Sequence, residues 1–220
     1  MAFLGGAPGS RLFGRQRLQA FKKKIVAVAL IFPALDKKPG HNPIYTVGHS
    51  TRTLDGFLKL LQHYQINLLL DVRTLPRSRH VPHFNSETLA RSVGLLGIEY
   101  RHFKQLGGLR KPSKASLNAG WRNASFRGFA DYMQSAEFQK ALAQMIELAS
   151  TKRAALMCAE AVPWRCHRSL IADALLSFHK MEIRHIISET SLQIHHLTPF
   201  AVVEDSRLTY PKANASGRLI

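Results

Sequence analysis

A chain of 220 residues is long enough for one domain of ordinary size with a real core, and its 31 Lys and Arg against 14 Asp and Glu give a net charge of +17. That field attracts polyanions, so nucleic acid, phosphorylated small molecules and an anionic membrane surface are all plausible partners. No apolar run approaches the roughly 18 to 20 residues of a membrane span, which excludes an integral membrane protein; two cysteines are too few for a disulfide scaffold, and a reducing cytoplasm is the simpler setting.

Residues 1–42 differ from the rest. They carry eight Lys or Arg against the single acid Asp36, with Gly-rich ends and no sustained periodicity, and read as a disordered extension or as a start assigned too far upstream. Ile25 to Leu35 faintly resembles a signal-peptide core, but Pro33 interrupts it and no small-x-small cleavage pattern follows.

The folded part is expected over 44–210, with a tail from 211 to 220. Ile44 to Val47 reads as a strand running into Gly48, His49 and Ser50, and Thr53 caps a helix whose Leu54, Phe57, Leu58 and Leu61 share one face. Ile66 to Leu70 is a second buried strand ending in Asp71 and Arg73. Strand, helix, strand demands a parallel pair with a right-handed crossover. After a loop holding Arg77, Arg79, His80 and His83, Asn85 caps a helix that ends near Gly97, and Ile98 to Phe103 reads as a third strand. Lys104 to Asn123 is a long Gly- and Lys/Arg-rich loop. Helical spacing then returns, around Ala130 to Gln134 and from Glu137 to Ala149. Ala155 to Met157 is a fourth strand, followed by a Pro163 turn and a helix opening at Cys166, His167 and Arg168; Ile183 to Ile187 is a fifth, and Ser191 to Phe200 supplies an edge. The alternation predicts an α/β fold, a three-layer, mainly parallel, Rossmann-like sheet with helices on both faces. Strand order is not legible.

A parallel sheet brings the C-terminal ends of its strands to one rim, where open α/β sheets put ligand sites. That rim collects His49 and Ser50, Asp71 and Arg73, and Cys158 and Glu160, with Arg77, Arg79 and the helix start at Cys166 beside them. Cys166, flanked by Arg165, His167 and Arg168 near a helix N-terminus, is in the setting that stabilises a thiolate. Cys158 reads equally as a small core residue or as a second reactive thiol. The segment from Cys158 to Arg165 is similar to the Cys-x5-Arg loop of cysteine phosphatases, but it holds six intervening residues, among them Glu160, and a carboxylate does not belong in an anion cradle. Glu160 reads instead as a general base or as the partner of Arg73 or Arg168. Zinc is disfavoured: Cys158, Cys166 and His167 would need His49 or Glu160 as a fourth ligand, and the spacing is unlike CxxC. His102, His179, His195 and His196 read as structural. GHST at the first loop is neither a dinucleotide fingerprint nor a P-loop.

The first reading is therefore an enzyme that holds an anionic, phosphate-bearing or nucleotide-like substrate at the rim. Cys166, Glu160, Asp71, His49 and Cys158 are its chemical groups; Ser50, Arg73, Arg77, Arg79, Arg165, His167 and Arg168 bind. The alternatives are a non-catalytic nucleic-acid-binding module, for which only Phe84, Trp121, Phe126 and Trp164 offer stacking aromatics among basic residues, and a thiol redox or metal-sensing protein built on the two cysteines.

TVGHST at Thr46 to Thr51, LLDVR at Leu69 to Arg73 with Pro76 and Arg77 after it, LGG at Leu106 to Gly108, and MCAEAVPWRCHRSLIA at Met157 to Ala172 together resemble the family called domain of unknown function 488. The resemblance spans about Ile44 to Tyr210. It implies an intracellular bacterial or archaeal single-domain α/β protein and carries no assigned activity.

Overall fold

In the computed structural model, residues 42–212 are described; the basic extension over 1–41 and the end of the tail, 213–220, lie outside them. Six strands form one sheet in the order β3-β2-β4-β1-β5-β6. The strands are β1 (Ile44–Gly48), β2 (Leu68–Asp71), β3 (Glu99–His102), β4 (Ala154–Cys158), β5 (Ile183–Ile186) and β6 (Leu192–Ile194). All neighbours pair in parallel except β6, which runs antiparallel along β5. A separate hairpin, β7 (Val202–Glu204) with β8 (Arg207–Thr209), follows; it was not legible in the sequence, because its strands are three residues long and only Leu208 is buried.

The pleat explains the two apolar layers. Leu68, Leu70, Ala154 and Leu156 point to one face, where they meet α3 (Ala124–Tyr132), α4 (Ala136–Ala149) and α5 (Arg168–His179). Tyr45, Val47, Leu69, Ala155 and Met157 point to the other and meet α1 (Leu54–His63) and α2 (Ser86–Gly94). The strands buried on both faces, β1, β2 and β4, are the ones that read as mostly apolar runs; the edges β3 and β6 are partly or wholly exposed.

Local signals account for most helix boundaries. Thr53 caps α1 by accepting from the Gly56 amide, and Ser135 caps α4 by accepting from that of Phe138. Asn85 stands at the N-cap of α2, yet its carboxamide oxygen accepts from the amide of Ser78 and pins the preceding loop instead. Helix α3 begins at Ala124, six residues before the expected start, with Asn123 accepting from the Ser125 and Phe126 amides. Gly128 hid it. Glycine weakens a helix in isolation, but here a Cβ would strike the backbone of Arg110 and Lys111, so the glycine lets the long loop lie against the helix.

Candidate thiol site

The connection after β1 leaves toward the face of α1, whereas the connection after adjacent β4 leaves toward the face of α5. Where neighbouring connections part to opposite faces, an open sheet leaves a crevice at the strand ends. The loop after β4 is drawn across this point: His49 N–H donates to the Cys158 carbonyl at 3.0 Å and Ser50 N–H to that of Ala159 at 2.8 Å. A side chain at Gly48 would overlap the Glu160 carbonyl oxygen, so only glycine admits this crossing.

Two polar clusters result. In the first, the Asp71 carboxylate is fully buried and accepts from Arg73 Nε and Nη2, from the Arg73 amide and, at 2.7 Å, from the Tyr100 hydroxyl. Arg73 Nη2 also donates to the Phe84 carbonyl at 2.8 Å, and Nη1 donates to His49 Nε2 at 3.2 Å. His49 Nδ1–H donates to the Ser50 carbonyl at 2.9 Å and the ring stacks on Phe84 at 4.2 Å. Burial, with the Arg73 charge, lowers its pKa to about 4, so the ring is neutral. These three expected site residues are brought together, with Arg73 bridging Asp71 and His49.

The second cluster holds the thiols. Cys158, Cys166 and His167 offer ligand atoms that all lie within 4.8 Å of one another. His167 Nε2–H donates to the Val72 carbonyl at 3.0 Å, which leaves Nδ1 facing Cys166 Sγ at 3.7 Å. Arg168 Nε donates to the same sulfur at 3.3 Å. Its other nitrogens reach the Glu160 carbonyl at 2.6 Å and Thr46 Oγ1 at 3.5 Å. Arg168 is 1% exposed, and among the described residues no carboxylate lies within 4 Å of it. A buried cation needs an anion. The group in position to supply it is the Cys166 sulfur.

The two thiols titrate in opposite senses. Burial pushes Cys166 upward, but the Cys158 hydrogen bond, His167 and the Arg168 charge outweigh it and hold the thiol well below its ordinary value. Cys158 is pushed well above its own, first by donating to the Cys166 sulfur and then by burial. The arrangement thus favours negative charge on Cys166, with the Cys158 thiol donating to it, beside the first turn of α5, whose dipole favours an anion.

The remaining expectations divide. Arg77, Arg79 and Arg165 are exposed, as is Glu160, whose carboxylate pairs with neither Arg73 nor Arg168: the first takes Asp71 and the second takes the Glu160 backbone. Neither proposed fourth metal ligand joins the thiol cluster, since His49 is bound by Ser50 and Arg73. Ser50 sits at the tight turn with φ of 48°.

A family model described as Domain of unknown function DUF488 matches residues 53–175, more than half of the chain. The chain belongs to this family. The matched span of the DUF488 chain includes both cysteines, His167, Arg168 and the Asp71–Arg73 pair, and it begins after the GHST turn. No curated protein matches the chain, and no solved structure does.

Sequence reasoning missed one array in this DUF488 chain. Thr46 Oγ1–H donates to His185 Nδ1 at 2.7 Å, His185 Nε2–H to His195 Nδ1 at 3.0 Å, and His195 Nε2–H to Asp173 Oδ1 at 2.9 Å. Asp173 also accepts from Thr198 and from the Tyr210 hydroxyl. With Arg168 donating to Thr46, every donor is matched by an acceptor; burial, then His195 and Arg168, lower His185 to about 3, so that ring is neutral. The available signal was Thr46 among the apolar residues of β1, and His185 between Arg184 and Ile186 in β5.

Proposed function

We propose that the DUF488 chain is a thiol redox protein in which Cys166 is the reacting thiolate and Cys158 the resolving thiol. The observation that carries the reading is the buried Arg168 guanidinium whose available counter-charge is the Cys166 sulfur. A low-pKa thiol next to a second cysteine is the arrangement of redox-responsive pairs. At 2% and 8% exposure, Cys166 and Cys158 favour a small oxidant, a hydroperoxide.

The step balances with that oxidant. The Cys166 thiolate attacks the peroxide, the O–O bond breaks, an S–O bond forms, and the released alkoxide or hydroxide takes a proton. The Cys158 sulfur then attacks the sulfenic sulfur, an S–S bond forms, and water leaves as the Cys158 proton is consumed. Two thiols and one hydroperoxide give one disulfide, one alcohol or water, and one water. His167 Nδ1 can take and return the proton at Cys166, held in place by Val72. The exposed Arg77, Arg79 and Arg165 are the guanidiniums free to hold an anionic substrate; Arg73 and Arg168 are engaged internally.

The test is titration of the reduced full chain with hydrogen peroxide, read by peptide mass spectrometry. The expected result is a Cys158–Cys166 disulfide, with a trappable sulfenic acid at Cys166 in the Cys158→Ser variant. Both thiols remaining reduced under excess peroxide would refute it. A second reading, a soft-metal site, is favoured by the three clustered donors and the Val72-anchored imidazole; tight uptake of Zn²⁺ that blocks oxidation of both thiols would select it.

A further inference from the structure

A cavity of about 340 Å³ opens on the α5 side of β6, and none of the residues that line it takes part in the redox reading. Its volume is in the small-ligand range of about 300 to 1,000 Å³. Trp121, Trp164 and Phe200 supply flat apolar wall; His185, Gln193 and His196 are among its polar lining. No Lys, Arg, Asp or Glu lines it, so the part of a ligand that enters is uncharged.

The two tryptophans have different roles. Trp121 is fixed in an aromatic cluster, 4.8 Å from Phe126, 4.9 Å from Phe200 and 5.5 Å from Tyr210. Its Nε1 is buried and has no hydrogen-bond partner among the described residues. Trp164 is 59% exposed and makes no ring contact among them, which leaves an indole face open for stacking. Of the four aromatics that the sequence offered for stacking, Phe84 is fully buried and Phe126 packs on Trp121; the other two line this cavity. Each is followed directly by an exposed arginine, Arg122 after Trp121 and Arg165 after Trp164. The Gln193 carboxamide and the His196 ring carry no hydrogen bond among the described residues and are free to read a ring edge.

We infer that this cavity is a nucleobase pocket: a base stacks on Trp164, its edge meets Gln193 and His196, and the attached phosphate is held by Arg165 and Arg122. A neutral, flat, hydrogen-bonding ring matches the wall, and a phosphate matches the flanking arginines and the net charge of +17. The base belongs either to a free nucleotide or to a single strand.

The chain has two tryptophans, both in this wall, so its intrinsic fluorescence reports on the cavity directly. The full chain is titrated with AMP, UMP, ribose 5-phosphate and an oligothymidylate, with indole emission as the readout. Saturable quenching by a nucleotide or the oligonucleotide, but not by ribose 5-phosphate, is expected. Trp164→Ala should weaken it roughly 5- to 150-fold, and the paired Arg122→Ala and Arg165→Ala change should flatten its salt dependence. Tighter binding of the oligonucleotide assigns a single strand; equal affinity assigns the free nucleotide. No quenching by any base-bearing probe, or equal quenching by ribose 5-phosphate, would overturn the inference. Because Trp164 is exposed, its variant should keep the far-ultraviolet dichroism of the parent, and Cys158 and Cys166 oxidation should be unchanged in it.

Discussion

Replacing Arg168 by methionine keeps much of the buried stem and removes the cation. The guanidinium is 1% exposed and donates to the Cys166 sulfur, the Glu160 carbonyl and Thr46 Oγ1. Breaking a buried pair by deleting one partner costs about 3 to 5 kcal/mol, a large part of the roughly 5 to 15 kcal/mol that holds a domain folded. The cost must depend on pH. Cys166 titrates below its ordinary 9.0 in the fold, so its contribution is absent under acid conditions, grows as pH rises through the folded pKa and is complete above about 9. The slope can reach about 1.4 kcal/mol per pH unit. Above that range Cys158, whose pKa is raised, contributes with the opposite sign. Urea unfolding of parent and Arg168→Met between about pH 5 and about pH 9 should therefore show a gap that widens with pH, while alkylation of Cys166 moves to higher pH in the variant. Arg168→Lys, which keeps a charge but not the fork, serves where the methionine variant does not fold. A gap independent of pH would refute the thiolate as the counter-ion.

Asp71→Asn breaks the 2.6 Å Asp71–Arg73 pair and should cost about 3 to 5 kcal/mol in urea unfolding, yet leave the pH profile of Cys166 alkylation in place; a shifted profile would put Asp71 in the thiol chemistry. His49 and His185, held near 4 and 3, stay neutral in the fold, whereas an unfolded imidazole titrates near 6.5. Their contribution is full above about 6.5 and is lost as pH falls toward those values, by up to about 1.4 kcal/mol per pH unit for each. Imidazole NMR resonances that titrate near the free value in the folded chain would disprove it.

The sheet was legible because its signal is local. A short, mostly apolar run, as in β1, β2 and β4, belongs to a strand buried on both faces wherever it falls in the order. The helix cap at Thr53 is equally local, since the acceptor lies three residues from its donor. Gly128 misled for the complementary reason: its value lies in the backbone of Arg110, which no window around α3 contains. Cys166 and its basic neighbours stood out within a few residues of one another, so the cluster around this sulfur was readable as well.

Pairing was not. Asp71 and Arg73 read as two open groups on a rim, and the fold closes them on each other with Tyr100, 29 residues away, completing the carboxylate. Arg168 read as a surface anion holder, and the fold buries it against a sulfur two residues back and a threonine 122 residues distant. His195 read as structural, and its place just after β6 sets it against His185 and Asp173, partners that no local window shows. The sequence by itself determined which polar side chains stand at the strand ends and which strands bring them to one edge. Only the tertiary structure decided their partners, because a charge or a hydrogen bond is satisfied by whatever lies within a few ångströms in space, and strand order sets that neighbourhood.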